Sequence, residues 1–174
     1  TSLTIVAGAG SISASWSAAS SGGSTITDYV VEYSTNGSSW TTFNDGLSTA
    51  TSATITGLTN GTAYYVRVNA ENAAGSSTAV VSGSTATPKT TPSSPSISAI
   101  AAGDQSLSVA FTAGATGGSS ITGYQYSING GSTWATASGT SSPITISGLT
   151  NGTSYQVALR AVNIVGNGDT SNIL

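Results

Sequence analysis

The sequence contains no cysteine, no histidine and no methionine among its 174 residues. Without cysteine there is no disulfide, no thiolate nucleophile and no soft-metal ligand. Without histidine no side chain has its ordinary proton equilibrium near neutrality, so general-base chemistry lacks its usual agent. Charge is scarce as well. Only 5% of residues are charged, against about 25% in an average soluble domain. The three basic residues, Arg67, Lys89 and Arg160, stand far apart. A nucleic-acid surface needs a basic stripe to displace counterions, and an anionic-membrane contact needs a basic cluster. Neither exists, so no nucleic-acid partner is expected. No apolar run approaches the roughly 20 residues of a membrane-spanning helix, and no membrane insertion is expected.

The remaining chemistry is thin. The acidic residues Asp28, Glu32, Asp45, Glu71, Asp104 and Asp169 do not cluster along the chain. Their spacing does not mark the paired carboxylates of glycoside hydrolysis. The many serine and threonine hydroxyls have no histidine and no evident lysine to activate them. The expectation is therefore no enzyme, no cofactor and no catalytic residue. A calcium ion at a domain junction, with Asp45 or Asp104 joined by backbone carbonyls, stays open as an alternative.

What is present is glycine, serine, threonine, alanine and asparagine, with 37% hydrophobic residues. That is enough for a small core and excludes the low-hydrophobicity, high-charge signature of disorder. The strongest signal is a repeat. Gly57-Leu58-Thr59-Asn60-Gly61-Thr62-Ala63-Tyr64 recurs as Gly148-Leu149-Thr150-Asn151-Gly152-Thr153-Ser154-Tyr155, an offset of 91 residues. Upstream, Ser11–Trp16 matches Ser106–Phe111 and Gly22–Thr27 matches Gly117–Thr122, both at an offset of 95. Two homologous domains follow, at 1–87 and 96–174. Between them, 88–95 carries Pro88, Pro92 and Pro95, a composition that favours extended, semi-stiff backbone.

Each copy alternates with period two. Ile12, Ala14 and Trp16 share one face of a strand, as do Tyr29, Val31 and Tyr33, and Tyr64, Val66, Val68 and Ala70. The second copy repeats this with Leu107, Val109 and Phe111, with Tyr124, Tyr126 and Ile128, and with Tyr155, Val157, Leu159 and Ala161. Turn pairs such as Asn36-Gly37, Asp45-Gly46 and Asn60-Gly61 separate them. Short alternating strands at this spacing give an all-β sandwich or barrel.

The segment from Gly57 through Tyr64 to Gly75, repeated from Gly148 to Gly166, resembles the E–F corner and F strand of fibronectin type III domains. The resemblance covers nearly the whole chain. It implies two tandem seven-stranded immunoglobulin-like sandwiches, with Trp16 and Phe111 as core aromatics on strand B. It also implies a tyrosine corner at Tyr64 and Tyr155, whose hydroxyls bond back to upstream backbone. The pieces Thr35–Trp40 and Asn129–Trp134 look most like bacterial members of the family.

Trp40, Trp134 and Tyr65 are the candidate contact aromatics. Trp40 and Trp134 follow the turn after strand C, where an indole either stacks on a sugar or a neighbouring protomer, or lies across its own sheet; the second is the commoner use of an aromatic. Tyr65 points outward on strand F. Glu32 and Arg67, outward on neighbouring strands, read as a cross-strand ion pair, with Ser127 at the C-strand position in the second copy. Asn36, Asn60 and Asn151 head glycosylation sequons that coincide with turns. No Arg-Gly-Asp occurs.

In the fold that the resemblance implies, the termini leave from opposite ends of a sandwich, and tandem copies make a string. The second copy aligns as stopping short of its last strand, so the expectation is a piece of a longer array. The leading functional expectation is a non-catalytic spacer or fibre segment of an extracellular bacterial surface protein, associating with neighbouring copies. Low charge leaves little repulsion to oppose such packing. The alternatives are a polysaccharide- or protein-binding accessory or adhesin module, and a phage tail or decoration module.

Overall fold

A computed structural model describes residues 2–174; Thr1, with which the expected first domain begins, lies outside the described residues. All the described elements are strands, and the chain forms two compact units that divide between Lys89 and Thr90.

In the first unit the strands are β1 (Leu3–Ala7), β2 (Ser11–Trp16), β3 (Ile26–Ser34), β4 (Thr41–Phe43), β5 (Ser52–Thr56), β6 (Tyr65–Asn72), β7 (Gly75–Ser76) and β8 (Val80–Val81). One sheet runs β1-β2-β5 and the other β4-β3-β6-β7, with β8 also on β6. All pairings are antiparallel. This is a seven-strand immunoglobulin-like sandwich in which β7 and β8 are two pieces of one edge strand.

In the second unit β9 (Ser96–Gly103), β10 (Ser106–Thr112) and β13 (Ile144–Ser147) form one sheet. The other holds β11 (Ile121–Ser127), β12 (Ala135–Thr136) and β14 (Ala158–Asn163). The last segment runs along β14, through Gly168 N to Ala161 O and Ser171 N to Leu159 O, and ends with Leu174 exchanging both backbone bonds with Val157. In the first unit the same edge continues to Ala86, which exchanges both bonds with Tyr64.

The alternation makes the two cores. Ile12, Ala14 and Trp16 of β2 meet Tyr29 and Val31 of β3 and Val66, Val68 and Ala70 of β6, with Ile55 beneath. Val109, Phe111, Tyr124, Val157, Leu159 and Ile146 do the same in the second unit. The aromatic centre is a tilted pair in each, Trp16 on Tyr29 at 5.6 Å and Phe111 on Tyr124 at 4.7 Å between ring centroids. Such tilted pairs add about 0.5–1.5 kcal/mol beyond burial. The Trp16 indole N–H is buried with no acceptor among the described residues, a desolvation cost that Phe111 does not carry.

The segment 88–95 is tied down at both ends. Lys89 N donates to Gly8 O and Gly61 N to Pro88 O within the first unit. Thr90 N donates to Gly117 O and Ser93 N to Ala115 O within the second. The fit at Gly117 is close. A Cβ there would lie 2.2 Å from Thr90 O at a φ of +71°, so only glycine fits.

Candidate functional site

The outward face of the β4-β3-β6 sheet gathers most of the side chains singled out above. Strand register places Thr42, Glu32 and Arg67 side by side across β4, β3 and β6. Arg67 Nε donates to Glu32 Oε2 at 2.5 Å, and both side chains are largely shielded. The hydrogen bond to Glu32, and then its charge, hold the Arg67 guanidinium above its usual value against an opposing effect of burial. The same guanidinium lies over the Trp40 ring, 4.5 Å from its centroid. Trp40 is half-buried and has one face covered by its own unit. Tyr65 lies against the Asn36-Gly37 turn, where a Cβ on Gly37 would sit 3.7 Å from the Tyr65 ring.

The second unit builds the same constellation from positions that the repeat alignment does not pair. Gln125, Thr136 and Arg160 form the row across β11, β12 and β14. Arg160 Nε donates to Gln125 Oε1 at 2.8 Å, and its guanidinium lies 4.3 Å from the Trp134 centroid. By the motif offset of 91, Arg67 corresponds to Ala158, and Arg160 to Asn69. The residue that does the work of Glu32 is Gln125, rather than the Ser127 that aligns with it.

The displacement is consistent. Glu32 stands three residues beyond Tyr29, whereas Gln125 stands one beyond Tyr124. Val66 donates to Ser82 Oγ, and two residues further along, at the position of Val68, Leu159 donates to Ser171 Oγ. The register of the strands is itself unchanged, with Tyr29 opposite Ala70 and Tyr124 opposite Ala161, so the arginine and its partner occupy the next outward cross-strand pair in the second unit, two residues or about 6.6 Å further from the tyrosine corner. A two-residue shift keeps every side chain on its own face, whereas a one-residue shift would bury the arginine. The buried edge serines Ser82 and Ser171, and the Arg160–Gln125 pair, were not read from sequence. The signal for the pair was a second outward arginine on the F strand, masked by the alignment.

At the corner, Tyr64 Oη accepts from Thr59 N at 3.1 Å, and Tyr155 Oη accepts from Thr150 N at 2.9 Å. Tyr64 is buried and Tyr155 half-buried. The asparagines of this corner reach the turn between the first two strands. Asn60 Oδ1 accepts from Gly10 N, and Asn151 Oδ1 accepts from Gln105 N. Asn36 Oδ1 accepts from Ser38 N and Ser39 N inside its own turn. All three sequon amides thus serve turn geometry.

Asp104 accepts from Asn151 Nδ2 at 2.8 Å. Asp45 lines a cleft of about 380 Å³ with Asp28, Val30, Phe43 and Leu47, where Leu47 is 85% exposed. Among the described residues no three His, Cys, Asp or Glu side chains come together as metal ligands would. Among the described residues no helix is long and apolar enough to cross a membrane.

The model of the fibronectin type III domain matches residues 1–83 and again 90–174. The crystal structure of the FN1–FN3 domains of chicken CNTN1 is similar, with a TM-score of 0.50 and 18% identity. The alignment covers 99% of this chain and 64% of that one, a likeness of fold. No curated protein sequence matches the chain.

Proposed function

The chain belongs to the fibronectin type III family, and from that premise we propose a non-catalytic structural role: two spacer modules of an extracellular bacterial surface protein or fibre, packing against further copies. Tandem domains of this family are structural or binding modules. The observation that carries the structural choice is the treatment of the aromatic face. Each outward tryptophan is covered by an arginine of its own unit, which supports packing over display. The low charge and a mean hydropathy of +0.12 leave little electrostatic opposition to close association.

Sedimentation and negative-stain microscopy over a concentration series test this reading. Concentration-dependent assembly is the expected result. Monomers at every concentration would remove assembly from it.

A binding role draws on a different observation, the cleft beside Phe43 and exposed Leu47. Under that reading the chain is a carbohydrate- or protein-binding accessory or adhesin module. Leu47→Asp would abolish retention on the ligand without affecting assembly. A phage tail or decoration module shares the chemistry of the spacer reading and would show itself by assembly onto a particle.

A further inference from the structure

The cleft on the first unit is acidic where its own unit has no cation to answer it. Asp28 and Asp45 line it, and Val30, Phe43 and Leu47 give it apolar walls. Asp28 is only 9% exposed, and among the described residues its carboxylate receives one hydrogen bond, from Ser48 N to Oδ1 at 2.8 Å. Strand register sets a further acid, Glu71, opposite it. Asp45 is exposed, and the one ion pair among the described residues, Arg67–Glu32, leaves both cleft carboxylates without a cation. A carboxylate so shielded and so sparsely bonded favours a cation beside it.

The chain's cations are all engaged but one. Arg67 and Arg160 lie over Trp40 and Trp134. Lys89 is exposed and pairs with no carboxylate among the described residues. Lysine carries its ammonium on an apolar stem, which suits a cleft with apolar walls and two carboxylates. Within its own unit Lys89 stands at the wrong end. Lys89 N is bonded to Gly8 O, and Pro88 O to Gly61 N, beside the tyrosine corner. Asp28 faces Glu71 at the far end of β6 from Tyr65, about 20 Å along the strand. The second unit carries neither acid of that pair, since Gly123 and Val162 face each other there.

We infer that Lys89 of one copy seats in the Asp28–Asp45 cleft of the next. The inference rests on the reading of the chain as a module that packs against further copies, and adds the contact that joins them. Donor and acceptor are different surfaces at opposite ends of one sandwich, so the contact is head-to-tail. Each copy added leaves a cleft and a lysine open, and growth continues instead of stopping at a two-fold dimer.

Sedimentation over a concentration series compares the unaltered chain with Lys89→Glu, Asp45→Lys and the double variant, each checked for fold by circular dichroism. Either single reversal sets like charges against each other and should weaken association by roughly tenfold or more. The double variant restores opposite charges and should recover it. Asp169→Lys, at an exposed acid of the second unit, changes net charge as Asp45→Lys does and should leave association as it was. Carbodiimide coupling of mixed light and isotopically heavy chains gives a direct readout, because Lys89 is the only lysine. The expected product joins Lys89 of one copy to Asp45 or Asp28 of another. Association that persists in both single variants, or coupling of Lys89 spread evenly over the exposed acids, would overturn this contact while leaving copy packing in place. The cleft would then belong to a ligand other than this chain. An unaltered chain that stays monomeric at every concentration would overturn both.

Discussion

The two units solve one packing problem with different residues. In the first, Arg67 is fixed between Trp40 and a carboxylate, Glu32. In the second, Arg160 is fixed between Trp134 and a neutral amide, Gln125, two residues further along the strands. The arginine–tryptophan contact survives both the displacement and the loss of its anion. The contact is thus the retained element, and the ion pair is an addition in one copy. Removing charge from the partner costs little because a largely shielded ion pair spends much of its attraction on desolvation.

The core gives the largest tests of this comparison. Trp16→Ala and Phe111→Ala should each cost about 3–5 kcal/mol, each in its own unit, read by urea unfolding with hydrogen exchange assigned to each unit. Trp16→Phe should cost far less than Trp16→Ala, because it keeps a ring on Tyr29 and deletes an indole N–H that has no acceptor among the described residues. A loss equal to that of Trp16→Ala would mean that the N–H has a partner.

The arginines separate the two units more finely. Arg67→Ala should cost about 1–3 kcal/mol, because it strips the indole and leaves the shielded Glu32 carboxylate without its partner. Arg160→Ala should cost about 0.5–1 kcal/mol, since Gln125 is neutral. In the Glu32→Gln background the cost of losing Arg67 should fall to that of Arg160. Equal costs in the unaltered chain would contradict the distinction drawn between the copies.

A smaller difference concerns alkali. Burial pushes the Tyr124 hydroxyl above the usual tyrosine value, because the phenolate is disfavoured among apolar neighbours. A raised folded value means that stability is fully present below the ordinary tyrosine range. It is lost as pH climbs from that range through the folded value. The second unit should therefore weaken as the pH rises above about 10, and Tyr124→Phe should flatten that decline. An unchanged pH profile of unfolding in the variant would contradict it.

Much of this was legible in the sequence. The doubled Gly-Leu-Thr-Asn-Gly segment anchors the E–F corner, and period-two alternation alone assigns the inward faces of β2, β3 and β6. Glu32 and Arg67 could be placed as neighbours because both point outward on adjacent strands. The second stack was hidden for a physical reason. The arginine and its partner move together by one outward cross-strand pair on an unchanged register, so an alignment of the repeats sets Arg67 against Ala158 and Glu32 against Ser127, which face each other without the contact. The role of Ser82 and Ser171 was equally hidden, since a serine in an edge strand is ordinarily solvated. Here each Oγ accepts a bond from the backbone of the F strand.

The central claim is that the two outward tryptophans pack their own sheets. Trp40→Ala and Trp134→Ala, measured by urea unfolding beside retention on immobilised polysaccharides, test it most directly. The account predicts a stability loss confined to the altered unit, larger than the loss of its arginine alone, with no change in retention. Unchanged stability with retention abolished would contradict it.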